Sequence, residues 1–327
     1  MIRQEPRRRR AAGRLPRAAL AGLVALAALA GPAGTACAQS LLRLRMIVSG
    51  FHDGDTFLQP RGIAFDPRDG SLYVANTGAH RIDVFSRTGR PLDRFIHRVT
   101  RPDSQLVDGE PGALAFDHAG RLLVTDRLAG YVDVLDRRGR PVARLVIPAG
   151  HPSAVAVGAD GTIYVGTTAE ESKVHAFRAD YSPAGSWGEA GTAPGQLASV
   201  TGLAVLADST VAVVCARTEL GVQVFTPDGR YLRGFGTHEL GRGNVSLPSG
   251  LAVTADGRFW IADDIRRCVH VFAADGTFVT QEGGPGTGAG QFSHPSAIAT
   301  DGTGLLAVSD RDLGRIQVLE YLAGPGR

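Results

Sequence analysis

The sequence is poor in several residue types, and each shortage narrows the class of protein. Lysine occurs once, as Lys173, so 34 of the 35 basic residues are arginine. The 327 residues include only three cysteines, too few for the disulfide framework of small secreted domains. The long apolar run from Ala18 to Ala30 has 13 residues, short of the ~20 that a membrane-spanning helix needs. These shortages exclude a disulfide scaffold and a helical membrane protein.

Motifs of familiar enzyme classes are also missing. The chain has no Gly-x-Ser-x-Gly nucleophile motif, no Cys–His nucleophile pair and no glycine-rich loop that opens a helix to hold phosphate. Asparagine is scarce, with Asn76 and Asn244 only. The run His52-Asp53-Gly54-Asp55 begins like a calcium loop but lacks the later ligands and the terminal Glu of an EF-hand. No motif therefore demands a particular chemistry.

A short segment with alanine at its centre recurs six times. The central residues are Ala64, Ala115, Ala156, Ala204, Ala252 and Ala299. Successive centres lie 41 to 51 residues apart, which is the length of one propeller blade. Alanine is a poor strand former, so its presence in every copy indicates close packing of backbones. We expect these segments to be the inner strands of blades around a common axis.

Each unit continues with the same grammar of turns and strands. A turn of Asp and Gly follows the alanine segment, as in Asp66 to Gly70, and a second apolar strand follows it. After a variable loop, a third strand alternates apolar and polar residues, as in Ile82-Asp83-Val84-Phe85. A glycine-bearing turn then leads to a short fourth strand. Six units of four strands predict an all-β, six-bladed β-propeller of antiparallel blades.

The last unit predicts how the ring closes. It ends with its third strand near Tyr321 and has no fourth strand. The segment Leu42 to Val48 precedes the first unit and is strand-like. We therefore expect residues 42–48 to complete the sixth blade, since closure removes the exposed sheet edges that invite aggregation. Residues 39–327 then form a single propeller domain.

The units resemble NHL repeats, and this similarity covers roughly residues 42 to 321. The first unit carries most of the pattern, with Pro60, Gly62, Val74-Ala75-Asn76, His80-Arg81-Ile82 and Val84-Phe85. The fourth unit departs from it, with Ala216 in place of the acidic residue and Gly221 in place of Arg81. The resemblance implies the propeller fold and a secreted, bacterial type of NHL protein. It does not define a function, because propellers host many activities.

The first 38 residues differ from the rest. Seven arginines precede the apolar run, and Ala36-Cys37-Ala38 forms an A-x-A site, a pattern typical of a secretory signal peptide. We predict cleavage after Ala38 and a periplasmic or extracellular protein; a lipoprotein attached through Cys37 is the alternative. The remaining 28 basic and 31 acidic residues give a net charge of −3, which argues against nucleic acid as a partner.

Two cysteines remain after cleavage, Cys215 and Cys268. They fall in adjacent blades and near the same face of the predicted propeller. An oxidising compartment would permit a disulfide between them. The alternative is a pair of buried thiols in positions that require small side chains, because Cys215 occupies the column of Ala75 and Ala262.

The two faces of the predicted propeller differ in their loops. One face carries short, stereotyped turns, and the other carries the variable inter-blade loops and the loops between second and third strands. Function on a scaffold concentrates in such variable loops. We predict a non-enzymatic, monomeric binding module for a protein, peptide or glycan at the cell envelope, with no cofactor required. The contact residues expected on this face are Arg101, Tyr131, Arg217, Arg266 and Arg267, since Arg and Tyr dominate interface energies.

The alternative function is a metal-dependent propeller enzyme. His151 and His294 each precede the proline that opens a blade, so they are candidates to share Zn²⁺ or Ca²⁺ at the mouth of the central channel, with His52 or His238 as a third ligand. Peptidylglycine amidating lyases resemble this repeat, which implies a channel metal with histidine ligands. Gluconolactonase-like hydrolases share the form but use a Glu, two Asn and an Asp, and the scarcity of asparagine disfavours that pattern.

One polar column invites a catalytic reading but has a simpler explanation. It consists of Asn76, Asp126, Thr167, Ala216, Asp263 and Asp310, at the ends of the second strands. A short acidic or amide side chain at a strand end commonly accepts hydrogen bonds from nearby backbone N–H groups. We therefore expect these residues to shape the turns.

Overall fold

Six four-stranded antiparallel sheets form the structure, which is a computed structural model that describes residues 40–51, 54–101, 103–168, 172–238 and 241–322. Each sheet is one blade, and the chain passes through the blades in order, so the predicted all-β, six-bladed propeller is confirmed. The described helical structure is a single 3₁₀ turn, Thr77–Ala79. The predicted signal peptide, including Cys37, lies outside the described residues.

The strands, numbered along the chain, run from the inner to the outer edge of each blade. The first blade contains β2 (Pro60–Phe65), β3 (Leu72–Asn76), β4 (Arg81–Phe85) and β5 (Pro91–Ile96), and the second β8 (Pro111–Phe116), β9 (Leu122–Asp126), β10 (Tyr131–Leu135) and β11 (Pro141–Val146). The third contains β12 (His151–Val157), β13 (Ile163–Thr168), β14 (Val174–Phe177) and β15 (Pro183–Trp187), and the fourth β18 (Val200–Val205), β19 (Val211–Cys215), β20 (Leu220–Phe225) and β21 (Tyr231–Thr237). The fifth contains β22 (Pro248–Val253), β23 (Phe259–Asp263), β24 (Cys268–Phe272) and β25 (Phe278–Glu282), and the sixth β26 (Pro295–Thr300), β27 (Leu305–Asp310), β28 (Arg315–Tyr321) and β1 (Leu42–Val48).

The sixth blade joins the two ends of the described chain. Strand β1 pairs antiparallel with β28, with Leu42 opposite Tyr321 and Val48 opposite Ile316. Backbone pairing with β28 and the buried side chain of Val48 attach this strand to the ring. The predicted closure by residues 42–48 is confirmed with the same bounds.

Two short sheets lie between blades. The segment between the first and second blades forms a hairpin, β6 (Arg98–Thr100) with β7 (Leu106–Asp108). Between the third and fourth blades, β16 (Glu189–Ala190) runs parallel to β17 (Gln196–Leu197). The hairpin follows the outer strand β5 directly and brings the chain back to the inner edge of the second blade.

The hydrophobic core is divided into layers between neighbouring blades. One layer joins Ala64 of the first blade to Leu114 and Val124 of the second, and equivalent clusters fill the other junctions. The closest backbone approach falls two residues before the repeated alanine. A Cβ atom added to Gly62 would lie 1.9 Å from the carbonyl oxygen of Gly112. The small residues of the inner strands are therefore explained by crowding at the axis.

Both described cysteines are free and completely buried. Cys215 packs in the layer between the third and fourth blades, whereas Cys268 Sγ lies 3.6 Å from His270 Nε2 within the fifth blade. The disulfide considered from the sequence is not formed, since the two thiols belong to different packing environments. Within the described residues, no helix has the length and apolar character needed to cross a membrane.

Candidate functional site

A cavity of about 620 Å³ lies on the propeller axis. The inner strands of all six blades contribute to its wall, because every blade begins at the axis. The cavity runs from the inter-blade loops inward to the level of the residue before each repeated alanine. It therefore belongs to the face with variable loops.

Six aliphatic side chains form the inner end of the cavity, one from each blade. They are Ile63, Leu114, Val155, Leu203, Leu251 and Ile298. All six are buried, with exposed fractions between 4% and 8%. This apolar ring gives the cavity a hydrophobic floor that favours an apolar group over water.

Hydroxyl groups form a belt above the apolar ring. In four blades, the residue three positions before the repeated alanine, here called the belt position, donates a hydrogen bond to the backbone of the next blade. These bonds are Ser153 Oγ to Val200 O at 2.7 Å, Thr201 Oγ1 to Pro248 O at 2.8 Å, Ser249 Oγ to Pro295 O at 2.6 Å and Ser296 Oγ to Pro60 O at 2.8 Å. The belt links successive blades around the axis and satisfies carbonyl groups that the crowded inner edge would otherwise leave unpaired.

Arg61 occupies the belt position of the first blade. Its bond to the second blade is supplied by another residue, because Thr77 Oγ1 donates to Pro111 O at 2.7 Å. Arg61 lines the cavity, and its Nε is buried without a hydrogen-bond partner among the described residues. Arg61 is therefore not needed for the hydrogen bond between blades that the residues at the same position make in four other blades.

Two more arginines flank Arg61 at the cavity mouth. Arg127, which directly follows β9, and Arg311, which directly follows β27, both line the cavity. Arg127 NH1 lies 3.4 Å from Glu110 Oε2, and Arg311 Nε lies 3.2 Å from Asp312 Oδ1. The sixth, first and second blades thus place three guanidinium groups on one side of the mouth.

Burial and like charge act together on Arg61. Desolvation is the main cause that lowers the pKa of Arg61 from its ordinary value, and repulsion from Arg127 and Arg311 lowers it further. Glu110 and Asp264 act in the opposite direction but are weaker causes. Arg127 and Arg311 each have a carboxylate within 4.0 Å, and Arg61 is the arginine of this group without one among the described residues.

The two predicted metal histidines have different surroundings. His151 is exposed and lines the cavity, whereas His294 Nδ1 lies 2.7 Å from Asp264 Oδ1 and its Nε2 lies 3.5 Å from Asp312 Oδ2. Within the described residues, no group of three His, Cys, Asp or Glu side chains could hold a metal ion. The arginines at the mouth also disfavour a cation, so the residues present do not fit the predicted metal, and His52 lies outside the described residues.

The five predicted contact residues do not meet at the cavity. Tyr131 is already engaged, because its hydroxyl accepts a hydrogen bond from Thr100 N at 2.7 Å and Arg144 covers its ring. Arg266 donates to Ser246 Oγ and Gly241 O, both at 2.8 Å. Those two side chains stabilise loops. The other three, Arg101, Arg217 and Arg267, are exposed and none of the five lines the cavity.

The residues that do line the mouth were missed by the sequence analysis, although two columns carry a signal for them. At the belt position the blades have, in order, Arg61, Gly112, Ser153, Thr201, Ser249 and Ser296. The second column lies one residue beyond the partner of the residue that precedes the belt position. In blade order it has Thr77, Arg127, Thr168, Ala216, Asp264 and Arg311. In the fourth blade Cys215 pairs with Val200, so Cys215, and not Ala216 as expected from the sequence, is the equivalent of Asp263. Most residues in these two columns are small, so a charged residue there differs from the repeat pattern and is a signal of a functional position. Without the structure, nothing showed that both columns face the axis.

The polar column at the ends of the second strands acts as expected in several blades. Asp263 accepts hydrogen bonds from Ser246 N and Leu247 N of the preceding loop, and Asp310 accepts them from Ser293 N and His294 N. These carboxylates fix the loops around the mouth. The structural interpretation of this column is confirmed for both residues.

The second blade is an exception in the same column. His97 Nε2 lies 3.4 Å from Asp126 Oδ2 and 3.7 Å from Asp133 Oδ2, and all three side chains are buried. Burial raises the pKa of Asp126 and of Asp133 to about 6 and lowers that of His97 to about 4. Neither His97 Nε2 nor Asp126 Oδ2 has a hydrogen-bond partner among the described residues. This buried cluster lies directly behind Arg127.

Fold and site together define a six-bladed β-propeller with an axial pocket. Residues 33–170 match the family model described as SMP-30/Gluconolactonase/LRE-like region, so over this part the chain resembles the gluconolactonase-like propellers. No match among curated proteins was found. The NHL assignment made from the repeats stays a prediction.

Solved structures with the same fold come from several bacteria. A protein of unknown function from Bacteroides thetaiotaomicron is 18% identical, with 83% of this chain and 71% of that chain covered and a TM-score of 0.64. A gluconolactonase from Xanthomonas campestris is 17% identical, with 85% and 94% covered and a TM-score of 0.62. A catalytically inactive virginiamycin B lyase from Staphylococcus aureus, solved with quinupristin, is 12% identical, with 82% of each chain covered and a TM-score of 0.57. At these identities the likeness shows the fold alone.

Proposed function

We propose that this protein binds a small organic molecule in the axial cavity. The observation that carries the proposal is the layered wall: an apolar ring at the inner end, with a few polar and charged groups at the mouth. Small-molecule sites share this arrangement, and their volumes of about 300–1,000 Å³ include that of this cavity. A folded protein cannot enter such a space. The protein, peptide or glycan expected on the loop-bearing face stays a prediction, and the present proposal concerns a compact ligand in the cavity.

Closing the mouth of the cavity tests the proposal. Thr168 lines the mouth at the end of β13, so Thr168→Trp would fill the opening from the side. Val279→Trp is the matched control, because Val279 is 40% exposed on an outer strand far from the axis. A small-molecule library is screened by thermal shift, and hits are measured by calorimetry. We expect the first variant to lose at least about tenfold in affinity and the control to keep it. Equal binding by both variants, or no binding compound, contradicts the proposal.

Turnover of the bound molecule is a second candidate function, favoured by one observation. Asp264 lines the cavity and holds His294 by a contact of 2.7 Å to Nδ1. A carboxylate on Nδ1 fixes the tautomer of the imidazole and leaves Nε2 to move a proton. Similar structures carry the names gluconolactonase and virginiamycin B lyase. Mass spectrometry after incubation with gluconolactone or quinupristin checks this: turnover that His294→Gln abolishes supports it, and unchanged substrate contradicts it.

We also propose that the mature chain is exported and begins at Gln39. The basic start, apolar run and A-x-A site of the first 38 residues support this. Intact mass and N-terminal sequencing of the protein recovered from outside the cytoplasm measure the cleavage point. A mass that matches a diacylated Cys37 would replace this proposal by the lipoprotein alternative.

A further inference from the structure

We propose that Arg61 binds an oxyanion group of the axial ligand, a carboxylate or a phosphate, and thereby selects acidic molecules with an apolar body. This inference rests on the proposed small-molecule function and names the class of ligand. Arg127 and Arg311 lie beside Arg61 and add to its attraction for an anion.

The first argument is the departure of Arg61 from its column. Equivalent residues in four other blades are Ser or Thr that bond to the next blade. In the first blade, Thr77 makes that bond instead, at 2.7 Å. A long charged side chain at this position therefore does nothing for the belt. Arg61 lines the cavity, whereas the hydroxyls at the same position in the four other blades are used in bonds to backbone carbonyl groups.

The second argument is the missing partner. Arg127 and Arg311 each have a carboxylate within 4.0 Å, namely Glu110 and Asp312. Among the residues that the structure describes, Arg61 has no such carboxylate, and its buried Nε has no hydrogen-bond partner. A buried, unpaired donor of a charged group costs free energy. The guanidinium group of Arg61 therefore lacks the countercharge that its two neighbours have. An oxyanion in the cavity that Arg61 lines would supply that countercharge, and a planar guanidinium group can hold an oxyanion through two parallel bonds.

Charge is unevenly distributed around the mouth. The sixth, first and second blades present arginines, the third and fourth present His151, Ser153, Thr168 and Thr201, and the fifth presents Asp264, which lies 3.9 Å from Arg311. The apolar ring lies deeper on the same axis. An acidic group on the arginine side and an apolar body against the ring would therefore satisfy both parts of the cavity.

The experiment compares ligands that share one body and differ in the head group. Hexanoate, hexyl phosphate and the neutral hexanamide are titrated into the full mature chain by calorimetry or ligand-observed NMR. The variants are Arg61→Ser, which restores the residue type of the column, Arg61→Lys, and the control Arg138→Ser on the opposite face, where Arg138 is exposed. We expect the wild type to bind at least one of the two anions about tenfold or more tightly than hexanamide, since a hydrogen-bonded ion pair is worth that much.

The results separate this inference from the proposed function. Arg61→Ser should bring the favoured anion to the affinity of hexanamide, Arg61→Lys should retain part of the preference, and Arg138→Ser should change nothing. The preferred anion distinguishes a carboxylate ligand from a phosphate ligand. If all three molecules bind equally, or if Arg61→Ser keeps the preference, the role of Arg61 is wrong while the small-molecule function stands. If neither these molecules nor any library compound binds, both are wrong.

Discussion

The two faces of the propeller use the same residue types in opposite ways. On the face with short turns, Tyr181 donates to Asp117 Oδ2 at 2.5 Å and accepts from Arg121 at 2.8 Å, a bridge between neighbouring blades. The same three residue types recur where Tyr321 joins the sixth blade to the fifth. At the axial mouth, by contrast, Arg61 and the buried Asp126 each have an atom without a partner among the described residues.

Two carboxyl groups on the turn face and two near the mouth have pKa values that are shifted in opposite directions. On the turn face, hydrogen bonds from the residue two positions later are the main cause that lowers the pKa of Asp160 and of Asp180. Near the mouth, burial is the main cause that raises the pKa of Asp126 and Asp133 to about 6. Asp160 and Asp180 therefore stabilise the fold in their charged form, whereas Asp126 and Asp133 carry a cost for being charged.

Residue type alone does not distinguish a structural side chain from a ligand-binding one in this repeat. The distinguishing feature is whether the side chain already has a hydrogen-bond partner within the protein. From the sequence, every arginine and tyrosine in the variable loops was an equally good candidate for a ligand contact. The structure shows that Tyr131 and Arg266 are hydrogen-bonded to inter-blade segments, just as Tyr181 is bonded to a neighbouring blade on the turn face. Among the described buried polar atoms without a hydrogen-bond partner, Nε of Arg61 is the one that belongs to a residue of the cavity wall. Four predictions test this contrast, in order of decreasing effect on stability.

Removal of the closing strand β1 should unfold the propeller, and with it both the turn face and the axial mouth. A chain that begins at Asp53 lacks β1, which pairs with β28 along its length and contributes Val48 to the core. We expect loss of cooperative unfolding and aggregation, because β28 becomes an open edge. Circular dichroism and light scattering measure this. An unchanged unfolding midpoint would show that closure does not hold the ring.

A turn-face bridge should matter for stability and not for binding. Tyr181→Phe removes the hydroxyl and leaves the buried Asp117 without that donor. We expect a loss of about 1–3 kcal/mol in the free energy of unfolding, the usual cost of orphaning a buried polar group. Urea unfolding gives the value, and ligand affinity should stay unchanged. A loss of ligand affinity without a loss of stability would contradict the assignment of stability to the turn face and of binding to the axial mouth.

Near the mouth, Asp126→Asn should stabilise the protein. In the first blade, Asn76 Nδ2 donates to Asp83 Oδ2 at 2.7 Å, and the substitution creates the same pair with Asp133. We expect a gain of about 1 kcal/mol at neutral pH, since a buried charge is replaced by a donor. A destabilised variant would indicate that the ionised carboxylate of Asp126 is required by the fold.

The pH dependence of that gain follows from the shifted carboxyl. The pKa of Asp126 is about 6 in the folded state and 3.8 ordinarily, so the folded state binds the proton more tightly. The stability that this group contributes is present at low pH and is lost as the pH rises through about 6. The gain from Asp126→Asn should therefore be larger at about pH 8 than at about pH 5. His97, with its pKa lowered to about 4, is present in both proteins and cancels in the comparison.

The smallest effect on stability is expected at the site itself. Arg61→Ser removes a guanidinium group that makes no hydrogen bond through Nε, and Thr77 keeps the inter-blade bond. We expect the free energy of unfolding to change by less than about 0.5 kcal/mol, or to rise slightly as repulsion from Arg127 and Arg311 disappears. Thermal unfolding measures this. A large destabilisation would make Arg61 a structural residue and weaken its assignment to ligand binding.

Much of the fold was predictable because it repeats. The same order of strands and turns occurs six times, which predicted the number of blades. The sixth copy lacks a fourth strand after Tyr321, which predicted that β1 closes the ring. The site was harder to predict, because each of its residues is a single departure from a column. Arg61, Arg127 and Asp264 come from different blades, up to 203 residues apart in the chain. No local pattern connects them.

By itself, the sequence determined the repeat: alternating side chains, Asp–Gly turns and small residues at the inner strands leave few packings other than blades around an axis. The tertiary structure alone decided which side chains meet. It set Arg61, Arg127 and Arg311 around one mouth, left Cys215 and Cys268 apart, and bonded Tyr131 to an inter-blade segment. The physical reason is that strand formation depends on neighbouring residues, whereas the pairing and burial of a charge depend on groups that only the closed ring brings together.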